Sequence, residues 1–306
     1  MPIPDFQSIM LPFLEFSNDG NEHTTREAVG FLANEFGLSE LEREELLPSG
    51  TQRIFENRVS WTKTHLLKAG LLESSRRAYF KRTERGRKVL EQRLPKINIA
   101  FLRQFPEYVD FQSPKRDENG TAEINHPNDE VSTQTPDETL DSVYQSIRKT
   151  LSQDLLSKIV SLSPAFFEKL VVELLVKMGY GGSIKDAGKA IGKSGDEGID
   201  GTIKEDKLGL DVIYIQAKKW APGNVVGRPE LHKFVGALAG QGAKKGVFIT
   251  TSSFTREARD YAPRNETKIV LIDGEELTQL MIDYNLGVTV QQTYEIKRID
   301  NDYFDE

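Results

Sequence analysis

Val212-Ile213-Tyr214-Ile215-Gln216-Ala217-Lys218 is an apolar run ending on two polar side chains, with Gly198-Ile199-Asp200-Gly201 upstream of it. Side chains alternate faces along a strand, so Gln216 and Lys218 project to one side of a sheet and Lys219 to the other. A carboxylate on a neighbouring strand can meet them there, and Asp200 at a strand entry is the first choice. Such a set offers an acid and an amide oxygen to a hard divalent cation, and an ammonium to a phosphate. Phosphodiester hydrolysis uses these parts. The cation stabilises developing negative charge and lowers the pKa of an attacking water, and the lysine adds charge and orients that water. Each residue alone has a plainer use: Asp200 as a turn acid between glycines, Gln216 as a structural amide, Lys218 as part of a solvated basic patch.

Outward from this strand the second half of the chain alternates helix and strand. Strands are expected over 199–203, 211–218, 246–250 and 268–272, and helices over 229–241, 255–263 and 275–284. Ser163-Pro164 is a helix start, N-cap then first turn. The helix it opens carries the stripe Phe167, Leu170, Val171, Leu174 and Met178 at helical spacing. Glu168 borders that stripe and can reach inward, with a solvent-side ion pair as its alternative, whereas Glu173 lies well away. The pattern predicts an α/β sandwich around a mixed sheet. Gly188 to Gly192-Lys193-Ser194 approaches a phosphate-binding loop but is one residue short, and no nucleotide cofactor is expected. Thr250, Thr251 and Ser252 after a strand could contact phosphate, but are read first as helix-capping residues.

The first half reads as helices followed by a hairpin. An apolar segment over 6–16 ends at Ser17-Asn18-Asp19-Gly20, and Thr24 with Glu27 forms a capping box for a helix to about Phe36. A short helix over 39–47 precedes a longer one over 51–69. Phe55, Val59, Thr62 and Leu66 line the inward face of that longer helix, and Gly70 suits its left-handed end. Its opposite face carries Arg53, Asn57, Ser60, Thr64 and Lys68, with Trp61 at the edge. Strands over 71–73 and 78–81 and a last helix over 83–92 complete the order of a winged helix. In that fold the 51–69 helix lies in a major groove. Residues 1–105 are taken as this domain. Residues 106–137, rich in acids, Ser, Thr and Pro, read as an acidic flexible linker. Residues 138–290 form the second domain and 291–306 a tail.

A chain of 306 residues exceeds the usual single-domain size. Its net charge of −7 argues against a nucleic-acid partner until the distribution is examined. Residues 1–50 hold only Arg26 and Arg43 as bases. Residues 51–88 hold Arg53, Arg58, Lys63, Lys68, Arg76, Arg77, Lys81, Arg82, Arg85, Arg87 and Lys88 against Glu56, Glu73 and Glu84. Such polarity is the footprint of phosphate binding, with docking to an acidic protein surface as the plainer use. The chain has no cysteine, and its four histidines lack ligand spacing, so neither disulfides nor structural zinc are expected. The first residues have neither a basic nor an apolar leader region, and no run is long enough to span a membrane, so a cytoplasmic protein is expected.

Asp200 followed by Gln216-Ala217-Lys218 resembles the variant signature of the PD-(D/E)xK nucleases in which glutamine replaces the second acid. The wider pattern is more specific. Phe167-Glu168, Gly179-Tyr180, Gly195-Asp196-Glu197-Gly198-Ile199-Asp200-Gly201, Gly246 to Ser252 and Ile272-Asp273-Gly274 together resemble the Mrr family of restriction endonucleases, and the N-terminal part resembles that family's N-terminal domain. The resemblance implies a restriction-endonuclease-like fold and Mg²⁺-dependent cutting of double-stranded DNA carrying methylated bases. It also implies a metal held by Glu168, Asp200 and Gln216, and Lys218 as the residue orienting the nucleophile. Arg53, Asn57, Ser60, Trp61, Thr64, Lys68, Arg76, Arg77 and Lys81 would contact DNA. Glu197 departs from the family's usual glycine and adds a carboxylate beside Asp196; both read as loop acids, with a metal role through water as the alternative. One such site cuts one strand, so a homodimer or higher oligomer is implied. Two rivals share these residues: a structure-selective nuclease such as a junction resolvase or nickase, and a non-catalytic DNA-binding regulator.

Overall fold

Asp5 starts the first helix, its carboxylate accepting the backbone N–H groups of Gln7 and Ser8 that a helix start leaves unpaired. The computed structural model describes residues 2–76, 78–112, 133–181, 198–206, 208–221, 223–262, 267–300 and 303. The chain divides into two compact units, residues 1–146 with 297–306, and residues 147–296.

In the first unit α1 (Phe6–Phe16) buries Phe6, Ile9, Met10, Phe13 and Leu14. A short strand β1 (His23–Thr24) leads into α2 (Thr25–Glu35), which opens on the Thr24/Glu27 capping box. Two acceptors there satisfy two donors reciprocally, so Thr24→Ala is expected to cost the unit about 1 kcal/mol in urea denaturation. Then follow α3 (Glu40–Glu44), α4 (Ile54–Lys68), the hairpin β2 (Leu72–Arg76) and β3 (Tyr79–Arg82), and α5 (Glu84–Glu91). Strand order is β1-β3-β2, all antiparallel. Helices α1, α2 and α4 with this hairpin make a winged helix. Helix α4 ends as its glycine requires. Gly70 adopts φ +68, its N–H bonds the Leu67 carbonyl and the Leu71 N–H reaches back to Leu66.

Two further helices, α6 (Ile99–Leu102) and α7 (Pro106–Gln112), complete this unit and correct the expected linker. Tyr108 of α7 is fully buried in the same core as Phe6 and Phe55, and its hydroxyl meets His65 Nδ1 at 2.7 Å. Pro106 starts a helix here instead of breaking one, because the first turn needs no N–H from it. The linker's far end is also structured. The Thr135 N–H donates to Glu138 Oε2 and the Glu138 N–H to Thr135 Oγ1, a further capping box opening α8 (Pro136–Ser161). The boundary between the two units falls within α8, later than the expected 138.

In the second unit, α9 (Pro164–Lys177) is capped by Ser163 as its sequence suggests. Then come β4 (Gly201–Lys204), β5 (Val212–Lys218), α10 (Arg228–Gly240), β6 (Lys245–Thr250), α11 (Arg256–Tyr261), β7 (Lys268–Ile272) and α12 (Gly274–Asp283). The sheet order is β4-β5-β6-β7, antiparallel at β4/β5 and parallel thereafter. Ile213, Ile215 and Ala217 pack in one core with Phe167 and Val171 of α9 and Leu277 of α12. Tyr214 and Phe248 pack in another with Phe234 of α10 and Ala258 of α11. Helices thus cover both faces of a mixed sheet, an α/β sandwich. Continuous apolar strands are what such double burial requires.

Candidate active site

Strand β5 carries the site. Its odd residues enter the α9 core, so alternation sends Gln216 and Lys218 to the other side with Tyr214. Asp200 stands just before β4 and is pinned at two points. Its N–H donates to the Ile215 carbonyl at 2.9 Å, and its Oδ2 accepts the Ala217 N–H at 2.7 Å. Those two partners flank Gln216, so the carboxylate is held beside that amide by main chain alone. Gln216 is only 3% exposed, and its Oε1 is buried with no hydrogen-bond partner among the described residues. A buried amide oxygen without a donor is costly, and nearly all are satisfied in folded proteins. Gly198 makes room for the other end of this amide. It has φ +106, and a Cβ there would lie 3.0 Å from Gln216 Nε2.

Glu168 of α9 lies near enough to Asp200 to feel its charge. Burial pushes its carboxyl above the ordinary value, and the negative charge of Asp200 raises it further. Glu173, by contrast, is exposed. A cation between two carboxylates and the Gln216 oxygen would relieve the repulsion and satisfy the orphan acceptor. All-oxygen donors suit a hard divalent ion such as Mg²⁺. Among the described residues no three His, Cys, Asp or Glu side chains cluster as a metal site. Asp196 and Glu197, and the loop over 188–194, lie outside the described residues.

Lys218 ends β5 with its carbonyl clamped. Thr250 Oγ1 donates to it at 2.8 Å, and the Thr251 N–H reaches it at 3.3 Å. The Thr251 hydroxyl also donates to the Trp220 carbonyl and accepts from the Trp220 N–H. Thr250 and Thr251 therefore cap no helix, contrary to their reading in the sequence. They fix the backbone that carries the lysine.

The expected DNA-contacting face of α4 forms as a stripe but is not open. Asn57 is 1% exposed; its Nδ2 donates to Asp137 Oδ2 at 2.6 Å, and its Oδ1 accepts the Thr135 hydroxyl. The Trp61 indole N–H donates to the same Asp137 oxygen. Arg53 pairs with Glu44 and Glu56, and the Thr64 hydroxyl bonds the Ser60 carbonyl. Lys68 lies over the Phe111 ring of α7. In the hairpin Arg76 pairs with Glu22 and stacks on Tyr79, and Lys81 pairs with Glu73. Arg77 lies outside the described residues. Two more of the expected bases turn inward. Arg58 bonds Glu138, and Lys63 donates to the Thr25 hydroxyl, with burial lowering its pKa.

Residues 159–281 match the family model described as restriction endonuclease, the Mrr catalytic domain, and residues 6–92 match the Mrr N-terminal domain. The "Type IV methyl-directed restriction enzyme EcoKMrr" of Escherichia coli (strain K12) is 36% identical over 318 aligned positions, covering 100% of both chains. This chain belongs to the Mrr family of restriction endonucleases. It is a restriction enzyme, and the four candidate site residues, Glu168, Asp200, Gln216 and Lys218, fall within the span of the Mrr catalytic domain. Two solved structures align loosely with this Mrr chain. The DNA modification-dependent restriction endonuclease AspBHI is 17% identical, with TM-score 0.35, over 45% of this chain and 36% of its own. The MspJI restriction endonuclease in complex with a 27-mer oligonucleotide is 20% identical, with TM-score 0.31, over 68% of this chain and 44% of its own. Neither overlay is close enough to compare sites. What the sequence missed in this Mrr chain is the threonine clamp. Its signal, a polar pair ending the strand beside β5, acquires meaning only once β5 and β6 are known to be parallel with Lys218 opposite Thr250.

Proposed function

We propose that the chain cuts double-stranded DNA carrying methylated bases by hydrolysis of the phosphodiester, with Mg²⁺ held by Glu168, Asp200 and Gln216. The observation that carries this reading is the buried, unpartnered Gln216 Oε1 beside an anchored Asp200. When bound, the ion would supply a Lewis acid for the scissile phosphate and lower the pKa of a water. The chain's own groups do the remainder. Asp200 is oriented by the Ile215 carbonyl and the Ala217 N–H, so its second oxygen is presented without rearrangement. The Lys218 ammonium sits two residues beyond Gln216 on the same side, where it steadies the attacking water and the phosphate charge. Attack in line expels the 3′ oxygen. Preference for methylated DNA is carried over from the methyl-directed E. coli relative. One catalytic set serves one strand, so a double-strand break calls for two copies of the chain.

The test is digestion of one plasmid prepared from methylating and non-methylating hosts, with and without Mg²⁺. Linear product is expected only from methylated plasmid with the ion present. Equal cutting of both plasmids would overturn the modification dependence. Preferential cutting of a four-way junction would assign the site to a structure-selective nuclease instead.

A further inference from the structure

We infer that the acidic start of α8, residues 135–141, is a built-in competitor for DNA on the α4 face, so that the winged helix is autoinhibited until this segment is displaced. The inference rests on reading α4 as the helix that contacts DNA.

Three carboxylates hold this segment in place. Asp137 Oδ2 takes the Asn57 amide N–H at 2.6 Å and the Trp61 indole N–H at 3.0 Å. Glu138 Oε1 takes the Arg58 guanidinium through Nε at 2.9 Å and Nη2 at 2.6 Å. Asp141 Oδ2 takes the Ser49 backbone N–H at 3.0 Å. Amide, guanidinium, indole and main-chain N–H donors meeting an anionic oxygen are the contacts a protein makes to DNA phosphates. The segment therefore fills the donors of α4, and of the turn preceding it, with the chemistry that a DNA backbone would bring.

Two features mark the contact as displaceable. The apolar residues in the following turns of α8 take no part in it: Leu140, Val143 and Tyr144 are 46%, 52% and 54% exposed. Donors held by anionic oxygens can exchange them for the phosphate oxygens of a polyanion, which apolar burial would not allow. The segment also keeps its own helix start. Thr135 and Glu138 cap one another, so leaving α4 does not strip α8 of its N-terminal acceptors. Asn57, the most deeply buried polar residue of the stripe, becomes available to a base edge only after this release.

The experiment compares the full chain with the variant Asp137→Asn, Glu138→Gln, Asp141→Asn. The substitutions keep side-chain shape, and glutamine retains the capping box. Affinity for a short unmodified duplex is measured by fluorescence anisotropy over a range of salt. Because removing three negative charges raises affinity for any polyanion, a control neutralises three exposed acids elsewhere in the unit, Glu35→Gln, Glu40→Gln, Glu45→Gln. The first variant is expected to bind about tenfold tighter or better, with a gain that shrinks as salt rises, and the control to gain much less. No gain, or an equal gain in the control, would overturn the competitor. Lys68→Ala and Arg53→Ala, made in both backgrounds, separate this failure from that of the reading beneath it. If they weaken binding while the α8 variant gains nothing, only the autoinhibition falls. If they leave binding unchanged in both backgrounds, α4 does not meet DNA and both fall together.

Discussion

Lys218→Ala is expected to slow DNA cleavage by about 10²–10³-fold, the usual cost of removing one preorganised charge contact to a transition state, while duplex binding stays nearly unchanged. The expectation follows from how the lysine is held. Its carbonyl is fixed by Thr250 and Thr251, and β5 pairs with β4 and β6 through main chain. Truncating the side chain therefore removes an ammonium from the phosphate without loosening the strand. Lys219→Ala is the internal comparison, since alternation turns Lys219 to the other side, and its effect on cutting should be small. Single-turnover plasmid cleavage and gel-shift binding on the same preparations separate the two functions. Cleavage by Lys218→Ala at the wild-type rate would remove the lysine from the mechanism and leave Asp200 and Gln216 as structural polar groups.

What the sequence could and could not disclose is clearest at β5. An apolar run ending in Gln216 and Lys218 suffices to place both on one side, because the period of a strand is two. It cannot say that Asp200 will be held by residues 215 and 217, since that depends on where β4 enters the sheet. Nor can it say that Gln216 Oε1 will be left without a donor, which depends on every neighbour at once. The winged helix shows the same division. Helical spacing puts Asn57, Trp61 and Thr64 on one stripe, and capping residues locate α2 and α3. Covering that stripe with Asp137, about eighty positions along the chain, is a tertiary event with no local trace. Charge counting has a related limit. A cluster of bases between 51 and 88 is a basic face only if the bases stay unpaired, and Arg53, Arg58, Arg76, Lys81 and Arg87 each meet a carboxylate. The proline content of 106–137 misled because proline breaks a helix everywhere but in its first turn, where Pro106 and Pro136 stand.

Asp200→Asn is expected to be at least as damaging, on the order of 10³-fold in cleavage, and to be readable without any activity assay. Asparagine keeps an oxygen for the Ala217 N–H, so the bond that orients the residue survives and the sheet entry should hold. What is lost is the charge. Asp200 adds to the upward shift of the Glu168 carboxyl, second to burial, because ionising Glu168 beside an existing negative charge is unfavourable. Replacing that charge by a neutral amide lowers the Glu168 pKa, and burial, the larger cause, keeps it above the ordinary carboxylate value. A pH titration of the Glu168 side chain by carbon NMR in the metal-free protein measures the change. A Glu168 that titrates identically in both proteins would mean the two carboxylates do not share a site, and a cation bridging them would lose its physical basis. A downward shift together with lost cutting would tie the acidic pair to catalysis through the same few ångströms of structure.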